Sequence, residues 1–130
     1  MADAINTPIA IGELIDKITI LEIKVARFTD QARTANAQAE LTLLQQLRQA
    51  ALPESAELTR LTAELKGVNE EIWELEDAIR DCERRRDFGA AFVTVARSIY
   101  RTNDRRAAVK RQINLALGSS LIEEKSYAPY

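Results

Sequence analysis

Two stretches of the chain carry polar and aromatic side chains where a helical pattern calls for apolar ones. Asn69, Trp73 and Glu76 follow one another at spacings of four and three, and so share one face of a helix. Arg97, Tyr100, Asn103, Arg106 and Lys110 lie three or four residues apart further on, with Asn103 and Arg106 on or beside the core line and Lys110 flanking it. Lys24, near the start, adds a third cation source. Amides, rings and cations converging inside a helical bundle are the groups that hold a carboxylate or a phosphate. Fixed charge of that kind can also speed the reaction of an anionic substrate. These nine residues are the candidate binding set; none is singled out as catalytic.

The chemistry open to them is narrow. The chain has no histidine and a single cysteine, Cys82. Triads built on His, HExxH zinc sites and Glu-x-x-His di-iron sites are therefore excluded, and no metal is expected. Gly12, Gly67, Gly89 and Gly118 lie too far apart for a phosphate-binding loop or a dinucleotide fingerprint, so no cofactor is expected either. The polar layer has a second reading that needs no ligand. Residues 68–83 hold seven acids against one base, and residues 84–111 hold nine bases against two acids. Facing helices of opposite charge align a hairpin, and a buried polar layer fixes register and oligomeric state.

Long helices must position these residues. Ile11, Leu14, Ile18, Leu21, Val25 and Phe28 form one apolar stripe, which predicts a first helix over about 10–28, entered at Thr7-Pro8. Ile20 and Ile23 lie off the stripe, as in a helix that is central or covered again by a partner. Residues 29–36 lose the pattern and read as a joint or an exposed stretch. Leu41, Leu44 and Leu47 mark a second helical segment to about Ala51, ended by Pro53. Leu58, Leu61, Leu65, Val68, Ile72, Leu75, Ile79 and Cys82 occupy the a and d positions of successive heptads, predicting a helix over 55–84 capped by Ser55. Cys82 reads as a small buried hydrophobe there, with a reactive thiol as the alternative.

After a short link at 85–87, with Asp87 as cap, Phe92, Val95, Ala96, Ile99, Val109 and Ile113 predict a helix that stops at Gly118. Equal distance from the link sets Glu76 near Arg97, Trp73 near Tyr100 and Arg101, and Asn69 with Glu70 near Asn103. The rings of Tyr127 and Tyr130 are expected to dock on the bundle. The fold class is all-α: an antiparallel three- or four-helix bundle with long, coiled-coil-like helices.

A chain of 130 residues is the size of one domain, here with a flexible start over 1–9 and a tail over 119–130. With 46% apolar and 29% charged residues it has the make-up of a globular protein. A net charge of −2 gives no general pull toward nucleic acid. Arg97, Arg101 and Arg105 do line one helix face, but the acidic helix beside them argues against that partner. The lone cysteine fits the cytosol, the first residues lack the pattern of a signal peptide, and no stretch approaches a membrane span.

The strings that break the apolar pattern also carry a resemblance. The stretch from Ile11 to Lys24 (IGELIDKITILEIK), that from Val68 to Asp77 (VNEEIWELED), that from Ala96 to Arg111 (ARSIYRTNDRRAAVKR) and that from Glu123 to Tyr127 (EEKSY) resemble the blocks of an uncharacterised bacterial family, a domain of unknown function. The resemblance covers most of the chain outside 29–66. It implies an accessory role beside glycosyltransferases and tetratricopeptide-repeat proteins of surface-polysaccharide loci, and it supplies no catalytic residues.

Three functions compete. The first is a non-catalytic interaction module whose partner is another protein or a second copy. The second is a small anion- or metabolite-binding protein or enzyme. All-helical chorismate mutases are its model, and Ile15-Asp16-Lys17-Ile18 with Lys24 and Arg27 is faintly similar to their first helix. The third is a basic-helix nucleic-acid binder. The first accounts best for Ile20, Ile23 and the long apolar seam.

Overall fold

The computed structural model describes residues 4–130 and holds four helices: α1 (Ile11–Arg27), α2 (Gln31–Ala51), α3 (Ala56–Arg84) and α4 (Ala90–Ala116). No strand occurs among the described residues. Residues 1–3 of the flexible start lie outside the described residues; nearer the helix, Ala10 is buried.

α1 is the central element. It touches α2, α3 and α4, whereas α2 touches α1 alone. This is why α1 is apolar on two sides. Leu14, Ile18 and Leu21 pack on Ala37 and Leu41 of α2. On the other side Ile15 packs with Leu58, Leu61 and Leu65 of α3 and Val109 and Ile113 of α4. Each face removes aliphatic surface from water, so α1 joins two cores.

α2 begins at Gln31, ten residues before the Leu run, and residues 31–36 are helix rather than a joint. Asp30 caps them by accepting from the backbone N–H groups of Ala32 (2.8 Å) and Arg33 (3.2 Å). Alanine-rich sequence needs no apolar stripe to be helical once it is capped. Nor does a helix packed on one neighbour need a broad stripe, and Leu43 and Leu47 stay exposed.

Ser55 caps α3 by accepting from the N–H of Leu58 at 3.0 Å. The link to α4 is longer than expected. Asp87 does not cap α4; it accepts from the N–H of Gly89 at 3.1 Å, a tight turn that delays the helix to Ala90. Thr7-Pro8 likewise is not the start of α1, whose first free N–H groups are met from the far end of the chain. Asn114 Oδ1 accepts from Gly12 at 2.7 Å and Ser119 Oγ from Ile11 at 3.2 Å.

Gly12 allows that approach. A Cβ there would stand 2.5 Å from the carbonyl oxygen of Lys110 and 3.0 Å from Asn114 Oδ1. Gly12→Ala is therefore expected to destabilise the fold by about 1–3 kcal/mol, despite alanine's better helix propensity, as read by urea denaturation.

The seam between α3 and α4 is covered unevenly. Leu58, Leu61 and Leu65 are 1%, 1% and 0% exposed beneath α1. Ile72, Leu75 and Ile79, at equivalent heptad positions further along α3, are only half-buried.

Candidate functional site

Asp16 organises the polar layer. It sits on α1 among Ile15, Ile18 and Thr19 and is 1% exposed. Its Oδ1 accepts from Asn69 Nδ2 at 2.9 Å and from Arg106 Nε at 3.0 Å. Its Oδ2 accepts from Arg106 Nη2 and lies 3.6 Å from Lys110 Nζ. Asn69 Nδ2 also donates to Thr19 Oγ1 at 3.0 Å, and that hydroxyl donates to the Asp16 carbonyl at 2.9 Å. Lys110 donates to Glu13 Oε2 at 2.6 Å and lies 3.5 Å from Glu123.

Two cations are thus met by three carboxylates, all from this chain. A half-buried guanidinium and a buried carboxylate joined by two hydrogen bonds form the strong, directional kind of ion pair. The layer ties α1 to both α3 and α4 and draws in Glu123 from the tail. Its chemistry is that of a completed clasp, with its positive charge already neutralised.

The electrostatics follow. Burial pushes the Asp16 carboxyl up, but hydrogen bonds from Arg106 and Asn69 and the charges of Arg106 and Lys110 outweigh it and hold Asp16 below the usual carboxylate range. Hydrogen bonding to Asp16 raises Arg106. Burial lowers Lys110, but the bond to Glu13 and the nearby acids leave it raised.

A depressed carboxyl contributes stability that is fully present above the unfolded value, about 3.9, and is lost as pH falls through the lower folded value. We expect an acid loss of stability in that window which Asp16→Asn flattens, measured as the urea midpoint against pH. The raised Lys110 acts at the other end: its contribution disappears as pH climbs through its folded value.

The nine candidate residues fall in several places. Asn69, Arg106 and Lys110 converge on Asp16. Asn69, Trp73, Glu76 and Arg106 also line a cleft of about 440 Å³ together with Ile20 and Ile72. Lys24 lines a smaller cleft, about 220 Å³, beside Glu13, Asp16 and Arg106.

The pairings expected across the hairpin are not those observed. Trp73 stacks on Phe28 (centroids 6.2 Å apart) with Arg27 over its ring at 5.9 Å. The rings of Tyr100 and Tyr130 meet edge to face, with centroids 5.2 Å apart, and the Tyr130 hydroxyl donates to Asp104 at 2.7 Å. Asn103 lines the groove under the same tail. Glu76 pairs with Arg80 on its own helix, and Arg97 is exposed, with no ion pair among the described residues. The ion pair that does join α3 to α4 is Glu71 with Arg105, at 2.8 Å. Equal distance from a link fixes height along a hairpin but not which side of the helix a residue faces, and the link here reaches Gly89.

Asp16, Glu13, Thr19 and Asn114 were not among the candidates. A signal existed for Asp16: Gly12, Asp16, Thr19 and Ile23 recur at spacings of three and four, a second stripe on α1 that is small and polar at its centre.

Both ends of this clasp lie within a single family match, whose model spans residues 5–129. The chain belongs to the Family of unknown function (DUF6165). No curated protein and no solved structure matches it. No helix among the described residues is long and apolar enough to cross a membrane.

Proposed function

We propose that the chain is a non-catalytic helical interaction module, a cytosolic accessory protein that works through its surface. The observation that carries this reading is an apolar seam that outruns the helix covering it. Beyond α1 the α3–α4 pair leaves Ile72, Leu75, Ile79 and Ile99 half-buried and Val93 and Phe88 exposed by 50% and 55%. Leu43 and Leu47 on the outer side of α2 add to the uncovered surface. Apolar side chains left in reach of water along a helical seam are the kind of surface that another macromolecule covers. Glycosyltransferases, suggested by the family resemblance, are the first partners to try. Affinity capture with the intact chain, combined with light scattering, tests the reading. A retained protein or a mass above that of one chain supports it; a monomer that captures nothing sinks it.

A second reading is favoured by the 440 Å³ cleft, which gathers Asn69, Trp73, Glu76 and Arg106 over an aliphatic floor. It would hold a small anionic metabolite. Against it, Arg106 is engaged by Asp16, and the cleft wall adds the carboxylates of Glu76 and Asp77.

A further inference from the structure

We propose that the distal part of the α3–α4 pair is a self-association surface, covered by a second copy of this chain about a two-fold axis. This rests on the interaction-module reading and names the partner for it.

The end of α1 meets α3 through Arg27, paired with Glu74, and through the capping residue Phe28, which packs on Trp73. Past that point α3 runs on to Arg84, and α4 has come from Ala90, with no third helix between them. Ile72, Glu76 and Arg80 follow one another at a spacing of four, with Ile79 three residues past Glu76, so they continue along the side of α3 that α1 covers lower down. Ile72, Glu76 and Arg80 line the cleft where α1 ends, which places this side of α3 open to solvent. On α4, Phe92 and Ile99 are half-buried and lie at seven-residue spacing before Arg106, on the side of α4 that faces α1 lower down.

The charges select the occupant. Glu76 and Arg80 stand one helical turn apart on the open side. A two-fold axis crossing α3 between them sets Glu76 of each copy against Arg80 of the other. The pattern is complementary to itself under that operation, so the same surface supplies both halves of each pair. In the isolated chain Glu76 and Arg80 pair with each other at an exposed site, where such a pair contributes little, so exchanging partners costs little while the seam gains cover.

Sedimentation velocity over a concentration series tests this with the intact chain, Glu76→Arg, Arg80→Glu, the double swap Glu76→Arg/Arg80→Glu, and Ile79→Asp. Circular dichroism confirms that each stays helical. The intact chain is expected to move from monomer to dimer as concentration rises. Each single swap puts like charges across the axis and weakens association by on the order of tenfold. The double swap restores it, and Ile79→Asp abolishes it.

A chain that stays monomeric throughout overturns the proposal. So do single swaps without effect, or a double swap no better than either single one. If the monomeric chain still captures a protein that Ile79→Asp loses, the second copy is refuted and the module reading stands. If it captures nothing, both fall.

Discussion

Asp16→Ala is expected to lower the free energy of unfolding by about 3–5 kcal/mol, the largest loss from any one substitution in the polar layer. The carboxylate is 1% exposed and is the shared partner of Arg106, Lys110 and Asn69. Removing it leaves the half-buried Arg106 beside a cavity and the buried Lys110 with Glu13 and Glu123 alone. The cost of an uncompensated buried charge exceeds the worth of the pair it came from. Domains of this size are stable by about 5–15 kcal/mol, so the variant gives up a large share of the total. Equilibrium urea denaturation reads the loss directly. A triple replacement of Asp16, Arg106 and Lys110 by Leu, Met and Met is expected to recover part of it, because the buried carboxylate goes together with both of its cations, and the two carboxylates that lose Lys110, Glu13 and Glu123, keep access to water. Recovery of stability in the triple variant separates a charge effect from a packing effect at position 16.

The second large effect is a contrast along one helix. Leu65→Ala is expected to cost about 2–5 kcal/mol, because Leu65 is 0% exposed between α1, α3 and α4 and the cavity left there cannot collapse. Ile79→Ala, two heptads further on, is expected to cost about 1–2 kcal/mol, because its side chain is only half-removed from water. Both positions carry the same heptad signature. Parallel denaturation curves at low protein concentration measure the difference, and equal losses would show that the distal seam is covered as well as the proximal one.

That contrast also shows which parts of the molecule could be read from residues alone. The stripe from Leu58 to Cys82 gave α3 almost to its ends, and the two apolar sides of α1 gave its central place, because burial acts directly on residue type at helical spacing. The family resemblance rested on long strings of mixed polarity and is now matched over 5–129. Periodicity is silent on which stretch of a seam finds a third helix, so the half-buried state of Ile72, Leu75 and Ile79 was not legible.

The start of α2 was missed for another reason. Helix propensity and the Asp30 cap act there without an apolar stripe. In the candidate site, Asn69, Arg106 and Lys110 stood out as polar residues in apolar positions. Their common partner did not, because Asp16 lies off the stripe taken as the face of α1. Phe28 and Tyr130, the ring partners of Trp73 and Tyr100, come from segments that a two-helix register leaves out, and Glu76 pairs with Arg80 within its own helix.

The central claim is that the buried charges of this protein answer one another and leave no site for an anion. A thermal-shift titration of the purified chain with a panel of anionic metabolites and nucleotide sugars tests it most directly, with Arg106→Ala and Lys110→Ala alongside. A ligand held by the native state alone raises the melting temperature with dose. The account predicts no dose-dependent rise with any compound, and variants that simply melt earlier. A rise that both variants abolish while still folded would contradict it and make the polar layer a binding site.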